Sequence, residues 1–232
     1  MPSAAASPSG GTANGTTISS GGTLELLGGA TASGTTISSG GALEIGSGFT
    51  ISGYVVSSGI SLEVASGGTA SGVSVSSGGA VDVFAGGTAS GATINNGGHA
   101  FVFSGGKVDA ATISAGTLVL SNGAIVSGTI SFSGGGTLLI EGTGSYGLVA
   151  GFAVPDTFDL AAVNFASASA SFNSATDVLT VTDGAHSVSI ELIGNYAAGN
   201  FNLKPESGGT GTLVVDPPIG GTISSVIGQP HH

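Results

Sequence analysis

The sequence predicts an all-β fold, a parallel β-helix (β-solenoid) built from coils of about 19 residues. The stretch "GTTISSGGTLEL" at residues 15–26 returns as "GTTISSGGALEI" at residues 34–45. Apolar residues recur at the same interval, and glycines recur beside them. One apolar column consists of Ile18, Ile37, Val56, Val75, Ile94 and Ile113. A fixed period of this size indicates a repeat architecture, in which each unit buries its apolar side against its neighbours.

Each coil is predicted to have three short sides separated by glycine turns. "TLEL" alternates, so that Leu24 and Leu26 point inward and Glu25 points outward. "TTIS" forms the second side, with Thr16 and Ile18 inward. "GTANG" forms the third side, whose inward position is mostly small: Ala13, Ala32, Ile51, Ala70, Ala89 and Val108. Frequent glycine excludes helix, because glycine is a poor helix former and suits corners.

The repeat pattern divides the chain into four segments. We expect residues 1–9 to be disordered and residues 10–143 to form the regular 19-residue coils. After Ile113 the turn "ISAGTLVL" is one residue shorter, and from residue 144 the strand spacing becomes longer and irregular. Residues 144–216 are therefore interpreted as wider coils that continue the β-helix and close its end. Residues 217–232 are interpreted as a flexible tail.

Charge is sparse and acidic, which restricts the classes of partner. The net charge is −11, with two lysines, Lys107 and Lys204, and no arginine. Binding to nucleic acid or to anionic lipid through basic patches is therefore not expected. No apolar run approaches the roughly 18 residues that a membrane span needs. Since the opening "MPSAAASPSGG" lacks a secretion signal, we expect either a longer parent protein or a signal elsewhere.

The repeated units resemble those of a known family. "GGTANGTTISSGGTLELLGG" and "GGATASGTTISSGGALEI" are similar to the AIDA-type repeats of self-associating bacterial autotransporter adhesins, over roughly residues 10–140. The section from "DTFDLAAVNF" to "GGTGTLVVDPP" looks like a module near the end of large proteobacterial surface or secreted proteins. The resemblance implies a right-handed β-helix that is extracellular, either attached to the bacterial surface or secreted. It also implies adhesion, and sugar attached to repeat hydroxyls such as those of Ser19, Thr36 and Ser38.

One outward position collects carboxylates in four successive coils: Glu25, Glu44, Glu63 and Asp82. Stacked carboxylates repel each other, so a bound calcium ion would be favourable there. A close carboxylate pair also superficially suits a retaining glycosidase. We favour a solvated acidic stripe, because the position faces solvent on a convex rod. Metal ligation at these four residues remains the weaker alternative, and no cofactor is expected.

Two further motifs are interpreted as structural. "GGTGTLVVD" is similar to a calcium-binding repeat, but Leu213 stands where that repeat needs a carboxylate. "TDGAH" places Asp183 near His186 as a conceivable acid–base pair, yet Asp-Gly is a common turn signal. No enzymatic activity is expected.

The outward ladders are interrupted in the fourth and fifth coils. Phe101 replaces the carboxylate, Phe84 and Phe103 occupy the outward position two residues further on, and His99 lies two residues before Phe101. Alternation predicts that these four side chains share one outer face. We name Phe84, His99, Phe101 and Phe103 the aromatic patch. Apolar patches of this kind mark something that covers them, such as the chain's own C-terminal section, a second rod or a ligand.

The periodicity therefore predicts a structural rod, and the resemblance implies that this rod is extracellular and mediates adhesion, self-association or biofilm formation. Its expected partners are copies of itself or other cell-surface proteins and glycans. The alternative is a secreted β-helix that binds or processes carbohydrate.

Overall fold

The structure is a computed structural model that describes residues 5–7 and 10–216. It is an all-β solenoid, which confirms the predicted fold class. The expectations for residues 1–4, 8–9 and 217–232 lie outside the described residues. The backbone of Ala5–Ser7 forms a strand that pairs with Leu24–Leu26, which differs from the disorder expected for residues 1–9.

The described strands are short and follow one another through tight turns. In chain order they are β1 (Ala5–Ser7), β2 (Thr12–Asn14), β3 (Thr17–Ile18), β4 (Thr23–Leu26), β5 (Thr31–Ser33), β6 (Thr36–Ile37), β7 (Ala42–Ile45), β8 (Thr50–Ser52), β9 (Val55–Val56), β10 (Ser61–Val64), β11 (Thr69–Ser71), β12 (Ser74–Val75), β13 (Ala80–Val83), β14 (Thr88–Asn95), β15 (His99–Val102), β16 (Lys107–Ser114), β17 (Thr117–Leu120), β18 (Ile125–Val126), β19 (Ile130–Phe132), β20 (Thr137–Ile140), β21 (Gly144–Ala150), β22 (Thr157–Leu160), β23 (Ser169–Asn173), β24 (Val178–Thr182), β25 (Ser187–Ile193), β26 (Asn202–Pro205) and β27 (Thr212–Val215).

One continuous parallel sheet, which we call face 1, runs along the rod. It stacks one strand from each of eight coils, in the order β4, β7, β10, β13, β15, β17, β20 and β22. The register steps by 19 residues as far as β15 and by 18 from His99 to Thr117, where the sequence showed the shortened turn. Burial alternates in each of the first four strands, with residues such as Leu62 and Val64 fully inside.

The other sides of the coils form a second sheet, face 2, which begins at the third coil. It runs from β8 through β11, β14, β16 and β19 to β21. Beside this row β9 pairs with β12, and β12 pairs with β14. The first two coils contribute separate pairs, β2 with β5 and β3 with β6. Face 2 is therefore interrupted between the second and third coils, whereas face 1 is continuous there.

The C-terminal section leaves the solenoid after one further coil. Strands β21 and β22 still pair in parallel with the preceding coil. Beyond them β24 pairs antiparallel with both β23 and β25, and β27 pairs antiparallel with both β22 and β26. The solenoid expected for residues 144–216 therefore continues only in part, through β21, β22 and β25, which pairs in parallel with β21. The antiparallel hairpins close its end and were not expected, because an alternating pattern fixes the faces of a strand but not its direction.

The hairpins cover the end of the core with aromatic side chains. Phe152 stacks on Phe158 with ring centroids 4.0 Å apart, and Phe201 lies 6.4 Å from Phe152. The Tyr196 hydroxyl donates a hydrogen bond of 3.0 Å to the Phe152 carbonyl. No helix among the described residues has the length and apolar character to cross a membrane.

Candidate functional site

The aromatic patch forms one stacked cluster on face 1. The rings of Phe84 and Phe103 lie 5.1 Å apart and nearly parallel. Phe101 lies 6.4 Å from Phe103, and His99 lies 6.1 Å from Phe101. Phe84 is 39% exposed and Phe103 is 36% exposed, so the described hairpins leave both rings open to solvent. Because stacked rings cover one another's faces and leave their edges toward solvent, the cluster presents a row of apolar edges on face 1.

The backbone beneath the patch is regular and well paired. Ala100 and Val102 point into the core and are buried, which orients His99 and Phe101 outward. The Phe84 amide donates to the Val64 carbonyl, and the Phe103 amide donates to the Val83 carbonyl, at 3.0 and 2.9 Å. His99 and Phe101 therefore stand on β15, and Phe84 and Phe103 stand at the first residue after β13 and β15, where backbone hydrogen bonds hold them to the preceding coil.

The apolar surface extends beyond the four residues found from the sequence. In register with Phe101 on face 1, the next two coils present Val119 and Leu139 outward. Val119 is only 6% exposed although it points away from the core. Val119 was missed because the 19-residue period slips at this point, so that stepping from Phe101 lands on Leu120 instead. The next step does land on Leu139, which was missed because the sequence ladder was not followed past the slip.

The four predicted carboxylates lie in one ladder on the same face. Glu25 pairs with Glu44, Glu44 with Glu63, and Glu63 with Asp82, and the ladder ends where Phe101 begins. Partial burial, together with the neighbouring carboxylates Glu25 and Glu63, raises the pKa of Glu44. Partial burial, together with Asp82, raises the pKa of Glu63, and burial raises that of Asp82. Chemically the ladder is a row of repelling anions beside the aromatic patch.

A cleft between the second and third coils was not foreseen from the sequence. It has a volume of about 290 Å³ and reaches the core residues Leu24, Leu26 and Leu43. Its other lining residues are Ala32, Gly34, Thr35, Ile37, Phe49, Ile51 and Tyr54. Ala32 and Ile51 belong to the predicted inward column, yet Ala32 is exposed and Ile51 is only half-buried. No lining residue carries a charge.

Two aromatic residues account for the cleft. Phe49 occupies a position that is glycine or alanine in the neighbouring coils: Gly11, Ala30, Gly68, Gly87 and Gly106. A Cβ added at Gly68 would collide with the carbonyl oxygen of Ile45, one coil back. Tyr54 occupies a position held by Thr16, Thr35, Val73, Ala92 and Ala111 elsewhere. The two aromatic side chains exceed the space between stacked coils, so the third coil stands away from the second on face 2.

Asp183 and His186 lie together in a hairpin turn. One Asp183 carboxylate oxygen accepts a hydrogen bond from the Asn164 amide at 2.9 Å and lies 3.0 Å from the His186 ring nitrogen Nδ1. The other oxygen accepts from the Ala185 and His186 amides. These hydrogen bonds, first among them that from Asn164, hold the pKa of Asp183 well below its usual range. Asp183 therefore organises the turn, as its sequence indicated.

Leu213 lies opposite Asp159, one strand beyond the last coil.

Comparisons with known proteins agree with the repeat pattern. Residues 64–117 match the model of a family described as adhesin of bacterial autotransporter system, probable stalk. This range contains the aromatic patch but does not reach residues 144–216, so the resemblance of that section to a terminal module is not supported. Among solved structures, the chain is similar to a crystal structure of a TibC-catalysed hyper-glycosylated TibA fragment, with 31% identity and a TM-score of 0.44. The similarity covers 64% of this chain and 64% of that fragment. No curated protein matches the chain by sequence.

Proposed function

We propose that the chain is part of an adhesive rod on the bacterial surface or secreted from the cell, and that its aromatic patch contacts a second copy of the rod. The proposal includes no catalytic step. It is supported by the adhesin-stalk match over residues 64–117 and by the β-solenoid itself. The single observation that carries it is the exposed row of stacked rings inside the matched region. Exposed apolar patches rimmed by polar residues commonly mark contact surfaces.

Charge on face 1 favours an antiparallel contact between two rods. The acidic ladder lies entirely on the N-terminal side of the patch. A parallel alignment of two patches would superpose both ladders and add repulsion between like charges. An antiparallel alignment keeps the ladders apart while the rings still meet. Salt should therefore change the association only weakly, because the contact itself is uncharged.

The test uses beads coated with the protein and scored for aggregation. We expect Phe101→Ser with Phe103→Ser to leave the circular-dichroism spectrum unchanged and to reduce bead aggregation at least tenfold, since aromatic anchors dominate such contacts. The matched control is Ile125→Ser with Ile193→Ser, which removes two exposed apolar side chains outside the patch. Aggregation equal to that of the parent would refute the proposed contact. Glycan-coated beads mixed with the protein-coated beads provide a second readout. If the double variant reduces only the binding between these two kinds of bead, carbohydrate is favoured as the partner.

A further inference from the structure

Within the part of the chain that the structure describes, the cleft between the second and third coils leaves two strand edges unpaired. At the boundary between the first and second coils, face 2 is closed by four backbone hydrogen bonds of 2.8–2.9 Å, donated by Gly15, Thr31, Thr36 and Ser38. At the boundary between the third and fourth coils, the equivalent donors Gly53, Thr69, Ser74 and Ser76 form bonds of 2.9–3.0 Å. Among the described residues, none of these four bonds forms between the second and third coils.

The unmatched groups belong to two parallel edges that face the same cleft. The edge of β5 and β6 presents the carbonyls of Thr35 and Ile37, and the edge of β8 and β9 presents the amides of Val55 and Ser57. An occupant that satisfies such groups is another extended strand, because backbone donors and acceptors then alternate along both of its sides. The uncharged apolar lining requires that its inward side chains be apolar or small.

A segment outside the described residues repeats the sequence of the second coil. Residues 220–225 read "GGTISS", and the second coil reads "GTTISS" at residues 34–39, so five of the six positions are identical. In this alignment Ile223 falls between Ile37 and Val56 in the inward column. Gly221 falls beside Tyr54, where the absence of a side chain leaves room for the ring. The cleft volume of about 290 Å³ is roughly twice that of an apolar cavity that holds benzene, which is ample for an isoleucine side chain.

The chain's own tail cannot reach this cleft. Asp216 follows β27, which lies between six and seven strand spacings from the cleft along face 1, or about 30 Å at ~4.8 Å per strand. The six residues from Pro217 to Thr222 span at most about 22 Å when fully extended. A strand in the cleft must therefore come from another molecule.

We infer that residues 220–225 of a second copy of the chain insert as a parallel strand into the cleft between the second and third coils. In this register the Val55 and Ser57 amides donate to the inserted strand, and the inserted strand donates to the Thr35 and Ile37 carbonyls. Insertion in one direction links rods end to side, and reciprocal insertion produces a closed dimer. This contact is separate from the aromatic patch.

Site-directed disulfide formation tests the insertion. Because the sequence contains no cysteine, the only thiols present are those introduced by substitution. One full-length chain carries Ser224→Cys and a second, mass-tagged chain carries Ser57→Cys, which the register places one strand spacing apart, within disulfide reach. We expect mild oxidation of the mixture to give the mixed disulfide at least tenfold faster than with Ser114→Cys, which stands three coils further along the same ladder. Adding Ile223→Asp to the first chain should remove this advantage.

Each other result would overturn the inference. Equal rates with Ser57→Cys and Ser114→Cys would mean random collision, and an unchanged rate with Ile223→Asp would mean that the isoleucine does not enter the cleft. Rapid formation within a single chain that carries both cysteines, at high dilution, would contradict insertion from a second copy. Because the variant Phe101→Ser with Phe103→Ser should keep the disulfide, failure of the patch proposal and failure of strand insertion are distinguishable.

Discussion

The boundary between the second and third coils differs from the boundary between the third and fourth on face 2, although the two agree on face 1. On face 1, Leu62 stands in register with Leu43 on one side and with Val81 on the other. On face 2, β8 pairs with β11, whereas β5 and β8 are not paired. The coils are therefore hinged along face 1 and open along face 2. A repeat protein can thus open a ligand-sized cleft with two substitutions and without loss of the stack.

Matched isoleucines in one column give the largest expected contrast. Ile94 is completely buried at a closed boundary, so Ile94→Ala should lower the free energy of unfolding by about 2–5 kcal/mol through lost burial and a cavity. Ile37 lines the cleft and is only half-buried, so Ile37→Ala should cost less than half as much.

Urea unfolding followed by circular dichroism measures the free energy of unfolding of both variants. The measurement uses dilute protein, and both variants also carry Ile223→Asp, so that no second copy fills the cleft. Equal losses for the two variants would mean that the second and third coils are closed in solution, and the contrast between the two boundaries would disappear.

Restoring the small residues of the other coils should close the cleft. In the variant Phe49→Gly with Tyr54→Thr, four backbone hydrogen bonds can form, each with a net value of about 0.5–1.5 kcal/mol, while two half-buried rings are lost. We expect the free energy of unfolding to rise by about 1–2 kcal/mol. Amide exchange at Gly34, Thr50, Val55 and Ser57 should slow to the rates of Gly53, Thr69, Ser74 and Ser76.

Phe84→Ser serves as the control for that variant, because it removes an aromatic ring from the outside of a closed coil. It should leave the exchange rates at the cleft unchanged. Fast exchange that persists after the double substitution would show that something other than Phe49 and Tyr54 separates the coils.

The sequence predicts the regular coils well because periodicity and alternation are local properties. The inward positions of Leu24, Val75 and Ile94 follow from stepping by 19 residues, and the structure buries all three. The outward positions of His99 and Phe101 follow from the alternation of a single strand. Stacking neighbours of similar shape then fixes the parallel register.

The cleft and the hairpins could not be predicted by the same reasoning. Phe49 and Tyr54 are visible as exceptions in their repeat positions, but their effect depends on how little space lies between two coils. That space is set by the carbonyl of the preceding coil, as at Gly68 and Ile45. The antiparallel direction of β24 depends on which edge is free when the chain arrives, and the residue pattern of a single strand contains no information on this.

The acidic ladder provides the smallest expected effect and tests whether face 1 is equally closed at both boundaries. Partial burial and neighbouring carboxylates raise the pKa values of both Glu44 and Glu63, so the folded protein holds these protons more tightly than the unfolded chain does. Stability from these groups is therefore greatest below the unfolded pKa near 4.5, and it is lost as the pH rises through the raised folded values.

Glu44→Gln and Glu63→Gln should each stabilise the protein at pH 7 by about 0.2–1 kcal/mol, the range for like charges on neighbouring strands, and should have little effect near pH 3. Glu141→Gln, on the exposed surface outside the ladder, is the control, and the measurement is the urea midpoint at both pH values. Glu44 and Glu63 are neighbours across this boundary on face 1, and each has a second carboxylate neighbour, Glu25 and Asp82 respectively. A gain for Glu44→Gln with Glu63→Gln that is smaller than the sum of the two single gains would indicate that face 1 is intact there, because the repulsion between the pair is then counted twice in that sum. Additive gains would indicate that the second and third coils separate on both faces.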